Sequence, residues 1–90
     1  MHTESAKLTF HIPQAGSLKD KRQVCRSLIE KTRRRFNASV AEVDFQDAHQ
    51  TLCVGVAVVS GEVSFAQRMI DEIIRYMEEQ ADAELTAIER

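Results

Sequence analysis

The sequence is poor in the residues that mark several protein classes. It has no tryptophan, one proline, three glycines and two cysteines among 90 residues. Cys25 and Cys53 lie 28 positions apart without CxxC spacing, which argues against a disulfide framework or a cysteine-based zinc site. We expect both cysteines to be reduced and buried. The glycines form no phosphate-binding loop, and no apolar run approaches the ~20 residues that cross a bilayer.

Length and composition predict a small globular domain without membrane or secretory segments. The first six residues lack the basic and apolar regions of a secretory signal, so we expect a cytoplasmic location. The hydrophobic fraction of 43% argues against disorder. The length suits one domain, residues 1–90, with a small core.

Alternating apolar and polar residues predict the strands. Residues 6–13 alternate up to Pro13, and residues 39–46 alternate again. Residues 52–59 are apolar on both faces, as expected of a central strand. A weaker strand pattern covers residues 84–89.

Two segments have helical periodicity. In the first, Ser17 is the predicted N-cap and Asp20 its capping-box partner. This helix should run to about Phe36, with Asn37 ending it in the left-handed conformation. The second helix is predicted over residues 63–80.

The order strand, helix, strand, strand, helix, strand predicts the α+β class. It is the βαββαβ pattern of the ferredoxin-like fold, which has a four-stranded antiparallel sheet with two helices on one face. The first and third strands should be central. We expect the core to include Phe10, Leu28, Val54, Ile70 and Ile73.

The net charge of −2 hides a strong division of charge. Residues 19–35 hold eight of the twelve basic residues and two acidic ones, a net +6, whereas the rest of the chain carries −8. On a helical wheel, four basic residues fall within about 60° of arc and Arg34 extends their stripe outward. Such one-signed stripes favour an anionic partner, and arginine suits phosphate. The predicted nucleic-acid-binding residues are Lys19, Arg22, Arg26, Arg33 and Arg34.

The other side of the sheet lacks the features of an RNA-recognition motif, which stacks bases on aromatic residues of its central strands. Here the open face should present small or polar residues, flanked by Glu42 and Asp44. RNA should therefore bind through the first helix, while the flat face offers a surface for dimerisation. The residues expected on this face are Thr9, His11, Cys53, Gly55, Ala57 and Val59.

No catalytic or metal-binding motif is visible. His11, His49, Asp44 and Asp47 have no familiar ligand or acid–base spacing. We predict no catalytic residue, no cofactor and no metal, and we retain a small enzyme that uses His11 or His49 as an alternative.

Several segments together resemble the YlxP-like family of small bacterial proteins of unknown function. The most specific is Ser-Leu-Lys-Asp-Lys-Arg at 17–22, and others are His-Ile-Pro at 11–13, Arg-Arg-Phe-Asn at 34–37, Gln-Asp at 46–47 and Gly-Val-Ala-Val-Val at 55–59. The resemblance implies a ferredoxin-like fold. Because the genes of this family tend to lie among genes for translation initiation and ribosome maturation, it also implies a ribosome-associated role.

Three functional hypotheses remain from the sequence. The first is a non-enzymatic protein that binds RNA, in particular ribosomal RNA, through the first helix. The second is a protein-interaction module, in which the basic helix meets an acidic surface or two copies pair through the open sheet face or an edge strand. The third is the small enzyme.

Overall fold

The computed structural model describes residues 1–90 and confirms the predicted order of elements. Neither helix is long and apolar enough to cross a membrane. The elements are β1 (His2–His11), α1 (Leu18–Arg35), β2 (Ser39–Asp44), β3 (Thr51–Ser60), α2 (Val63–Gln80) and β4 (Glu84–Glu89).

The four strands form one antiparallel sheet in the order β2-β3-β1-β4. The central pair β1–β3 is in register along its whole length, from His2 opposite Ser60 to His11 opposite Thr51. Both helices pack on the same face of this sheet, α1 towards β2 and α2 over β1 and β3. The predicted ferredoxin-like topology, with the first and third strands central, is therefore confirmed.

The core lies between the sheet and the two helices. It is a cluster of 16 buried residues that contains all five residues predicted for it. Leu8, Phe10 and Ile12 of β1 are fully buried, because alternate side chains of a strand point to the same face. Each large side chain buried in this way stabilises the fold by roughly 1.5–3 kcal/mol.

Two predicted boundaries are wrong. β1 begins at His2 rather than at residue 6, because the ladder with β3 extends to Ser60. α1 ends at Arg35, and the chain leaves it through Phe36 in an extended conformation, with φ −128°. Asn37 therefore does not end the helix in the left-handed conformation. The extended turn places the Phe36 ring against Tyr76 of α2, with the ring centroids 5.4 Å apart.

The orientation of β2 also differs from the prediction. Val40 is buried in the core and Glu42 lies on the same, helix-facing side, whereas Ala41 and Val43 lie on the open face. Glu42 therefore does not flank the open face. The regular alternation stops because a bulge between Glu42 and Asp44 shifts the register near the end of the strand.

Candidate nucleic-acid interface

The start of α1 is fixed by two capping hydrogen bonds. The Ser17 hydroxyl accepts the N–H of Asp20 at 3.2 Å, as predicted for an N-cap. The Asp20 carboxylate accepts in return from the N–H of Gly16, at 3.0 Å, rather than from that of Ser17. These bonds define where the helix begins, and hence where the basic residues that follow are displayed.

The basic stripe (Lys19, Arg22, Arg26, Arg33 and Arg34) is exposed along its whole length. Arg33 shows which way it faces, because its Nη2 donates to the Val40 carbonyl of β2 at 2.5 Å. Arg35, two residues later, lies instead over the ring of Tyr76 in α2. The stripe thus runs along the side of α1 next to the edge strand β2, away from α2.

The members of the basic stripe differ in whether their side chains have partners within the chain. Arg33 is tied to β2, and Arg34 lies 3.9 Å from Glu30, a surface ion pair of small energetic value. Lys19, Arg22 and Arg26 make neither an ion pair nor a side-chain hydrogen bond. Their charges are therefore available to an external anion.

Lys21, a member of the same charged segment, is buried. Its side chain is 2% exposed, and its ammonium donates to the carbonyls of Phe45 at 2.5 Å and Ala48 at 2.8 Å. Oε2 of Glu42 lies 3.0 Å away, as an ion pair rather than a well-aligned hydrogen bond. Lys21 therefore joins α1 to β2 and to the loop that follows it, where Phe45 has a φ of 56°.

The sequence analysis counts Lys21 in the charge of residues 19–35 but leaves its burial unpredicted, although a signal for burial exists. Lys21 lies four positions before Cys25 and seven before Leu28, so it belongs to the buried stripe of the helix. The acidic partner, Glu42, was missed because the orientation of β2 was wrong.

Cys25 is buried near this ion pair. Burial raises the pKa of the Cys25 thiol, and the negative charge of Glu42 raises it further, while Lys21 acts in the opposite direction. A thiol with a raised pKa is a poor nucleophile at neutral pH. Both cysteines are free and buried, as predicted.

The open sheet face is shallow and mostly made of small residues. A hollow of about 500 Å³ lies over Ala41, Gly55 and Ala57. Val43 and Val59 are 48% and 64% exposed. Cys53 lies on this face, as predicted, but it is fully buried there, and the Thr9 hydroxyl lies 3.7 Å from its sulfur.

The histidines do not form a recognisable reactive site. His11 Nδ1 lies 3.2 Å from the carbonyl oxygen of Gln50, and His49 is exposed in the loop before β3. No three His, Cys, Asp or Glu residues come together in an arrangement that could hold a metal ion.

Comparison with known proteins shows that the sequence matches a protein family. Residues 4–90 match the family described as "Protein of unknown function (DUF503)".

The chain belongs to the DUF503 family.

One relative of this DUF503 chain is the uncharacterized protein YlxP of Bacillus subtilis (strain 168). It is 29% identical over 75 residues, which cover 83% of this chain and 82% of YlxP. This similarity agrees with the resemblance seen in the sequence.

A solved structure similar to the DUF503 chain supports the fold alone. The NMR structure of the de novo designed protein LFR1 1, with a ferredoxin fold, superposes with a TM-score of 0.62 at 17% identity. The match covers 100% of this chain and 87% of the designed one.

Proposed function

We propose that this DUF503 protein is a non-enzymatic RNA-binding protein, associated with the ribosome, that grips phosphates with the basic stripe of α1. The observation that carries the proposal is that Lys19, Arg22 and Arg26 are exposed, share one flank and have no partner within the chain. A helix that served only as a solvated surface would tend to mix charges and pair them at i,i+4.

The geometry of α1 suits a nucleic-acid backbone. At about 1.5 Å of rise per residue, the basic stripe extends roughly 20 Å from Lys19 to Arg33, long enough to follow several phosphates of one strand. Arginine can grip a phosphate with two parallel N–H groups. Because such contacts carry no sequence information, RNA shape would decide where the protein binds.

The test is the salt dependence of RNA binding, measured by fluorescence anisotropy with a labelled ribosomal RNA fragment and a single-stranded RNA. For single strands, the slope of log affinity against log salt is about −0.7 per phosphate contact, so five contacts predict about −3.5. Arg26→Glu should weaken binding and flatten this slope. Arg68→Glu, an equal change of charge on exposed α2, is the matched control.

Arg26 is preferred to Arg33 for this test because Arg33 also holds β2. Both glutamate variants should keep the free energy of unfolding within about 0.5 kcal/mol of wild type. Equal effects of Arg26→Glu and Arg68→Glu, or no salt-dependent binding at low ionic strength, would overturn the proposal. A partner that survives RNase in a lysate pull-down would favour the protein-interaction alternative.

The open sheet face favours self-association as a second candidate function. Val43, which lines the hollow, and Val59, near the end of β3, are exposed, and a second copy could cover them. Sedimentation at high concentration tests this, with Val59→Lys as the disrupting variant. Only a 10.2 kDa species would rule it out.

A further inference from the structure

An aromatic hollow lies at the C-terminal end of α1. Phe36 and Tyr76 meet edge to face, with ring planes at 78°. The guanidinium of Arg35 lies over both rings, 5.9 Å from the centroid of Phe36 and 5.8 Å from that of Tyr76. The hollow has a volume of about 380 Å³ and is completed by Glu72, Arg75 and Glu79.

The two rings are held in place and remain partly open to solvent. The Tyr76 hydroxyl donates to the Lys31 carbonyl of α1 at 3.4 Å, and both rings are half-buried. They therefore present a pre-formed aromatic surface on the helix side of the molecule. The open face of the sheet offers no comparable surface, because its central positions carry small or polar residues.

Basic residues connect this hollow to the basic stripe. Successive residues of a helix are about 100° apart, so Arg33, Arg34 and Arg35 surround the last turn of α1. A strand that follows the stripe can pass around this turn from one guanidinium to the next and arrive at Tyr76. Arg75, across the hollow on α2, supplies a further cation.

We propose that this hollow binds one unpaired RNA base, stacked on Tyr76 and in edge contact with Phe36, since the two rings are nearly perpendicular. The proposal rests on the RNA-binding function inferred above and adds a second kind of contact to it. An entering base replaces Arg35 over the rings, and Arg35 then holds the phosphate of the same nucleotide. Glu72 and Glu79 only accept hydrogen bonds, so they can bind a donor on the edge of that base, such as an exocyclic amino group.

The chain provides its own reporter for this contact. Tyr76 is the single tyrosine and there is no tryptophan, so the intrinsic emission near the tyrosine maximum comes from Tyr76. We expect a short oligocytidylate to quench this emission and a ribose-phosphate oligomer of equal length without bases to leave it unchanged. A parallel titration of N-acetyltyrosinamide corrects for absorption by the bases.

Two variants separate stacking from backbone binding. Stacking is worth about 1–3 kcal/mol per base, so Tyr76→Leu should weaken binding of the base-bearing oligomer roughly 5- to 140-fold. The same variant should bind the abasic oligomer like wild type. Tyr76→Phe keeps the ring and should keep the affinity, and circular dichroism checks that both variants are folded.

The outcomes distinguish this inference from the proposed function. Salt-dependent binding with unchanged Tyr76 emission and an unaffected Tyr76→Leu variant would contradict base binding in the hollow. Phosphate binding by the basic stripe would still be supported. If an oligomer quenches Tyr76 and binds Arg26→Glu as tightly as wild type, base binding in the hollow is supported and phosphate binding by the basic stripe is contradicted. Absence of binding by either oligomer would overturn both.

Discussion

The two helices have the same length and pack on the same sheet face, yet they are held in different ways. Each has 18 residues and buries four of them. α2 buries only apolar residues, whereas half of the buried residues of α1 are polar or charged. The buried residues are Ala66, Ile70, Ile73 and Met77 in α2, and Lys21, Cys25, Leu28 and Thr32 in α1.

The ends of the two helices also differ, because polar and charged side chains stabilise only those of α1. α1 has a side-chain N-cap, an acidic residue in its first turn and three arginines in its last turn, which complement the helix dipole. α2 has no side-chain cap at Glu62 and no such charges at either end.

This difference indicates that α2 is placed by packing and α1 by packing plus directional contacts. Apolar contacts tolerate small rotations and shifts, but hydrogen bonds from Lys21 to two loop carbonyls do not. Fixing the rotation of α1 also fixes the direction in which its basic stripe points. The helix that carries the candidate site is thus the one with specified orientation.

The largest effect should come from Lys21→Met. This change keeps much of the side-chain volume but leaves Glu42 and the carbonyls of Phe45 and Ala48 without their partner. Removing one partner of a buried ion pair costs about 3–5 kcal/mol, and because the Glu42 side chain is 24% exposed we expect about 3 kcal/mol, which urea unfolding would measure. Met77→Leu, an apolar exchange at a buried position of α2, should cost less than about 1.5 kcal/mol.

The second variant Glu42→Gln sharpens this result. Combined with Lys21→Met, it removes the unpaired buried charge and should recover part of the loss, but not the part due to the two loop carbonyls. A Lys21→Met protein within about 1 kcal/mol of wild type would show that the polar contacts do not hold α1.

A smaller effect is expected at the helix starts. Ser17→Ala should destabilise the protein by about 1 kcal/mol, because the N–H of Asp20 loses its acceptor. Glu62→Asp should instead stabilise it by about 0.5 kcal/mol, since a shorter carboxylate can reach the free N–H groups of α2. Thermal unfolding of both variants tests the contrast, and a loss of stability in Glu62→Asp would contradict it.

The smallest effect concerns alkaline pH. The pKa of Cys25 is raised above 9.0 in the folded state, so the unfolded chain loses this proton first as the pH rises. The folded state then binds more protons, and stability should fall above about pH 9, by less than about 1.4 kcal/mol per pH unit. In urea unfolding between about pH 8 and 10, Cys25→Ala should reduce this slope and Met77→Leu should not.

The order of elements could be predicted because periodicity and turn residues together indicate each helix and strand, although not all of their boundaries. Residues 52–59, apolar on both faces, identified the central strand, and Ser17 identified the start of α1. Which β2 side chains face the helices could not be predicted in the same way, because Ala41 and Val43 are small apolar residues that suit either face of the sheet. The decisive fact, the pairing of Glu42 with Lys21, joins positions far apart in the chain.

The basic stripe was predictable as an exposed surface, because charged residues at one helical flank rarely face a core. Which members of the stripe have partners within the chain was not predictable. The bond from Arg33 to Val40 depends on where the edge strand lies, and the aromatic hollow requires Phe36 and Tyr76, which are 40 positions apart. Local patterns report the side of an element, but tertiary structure decides which side chains meet.

The close approach of Val43 to Gly55 has a consequence for how such sequences can diverge. A Cβ atom at Gly55 would lie 2.9 Å from Cγ1 of Val43, and valine cannot easily turn away because its χ1 is restricted. The two positions therefore share one space on the open face. Related sequences with a larger residue at the position of Gly55 should carry a smaller one at the position of Val43, so these sites are expected to change together.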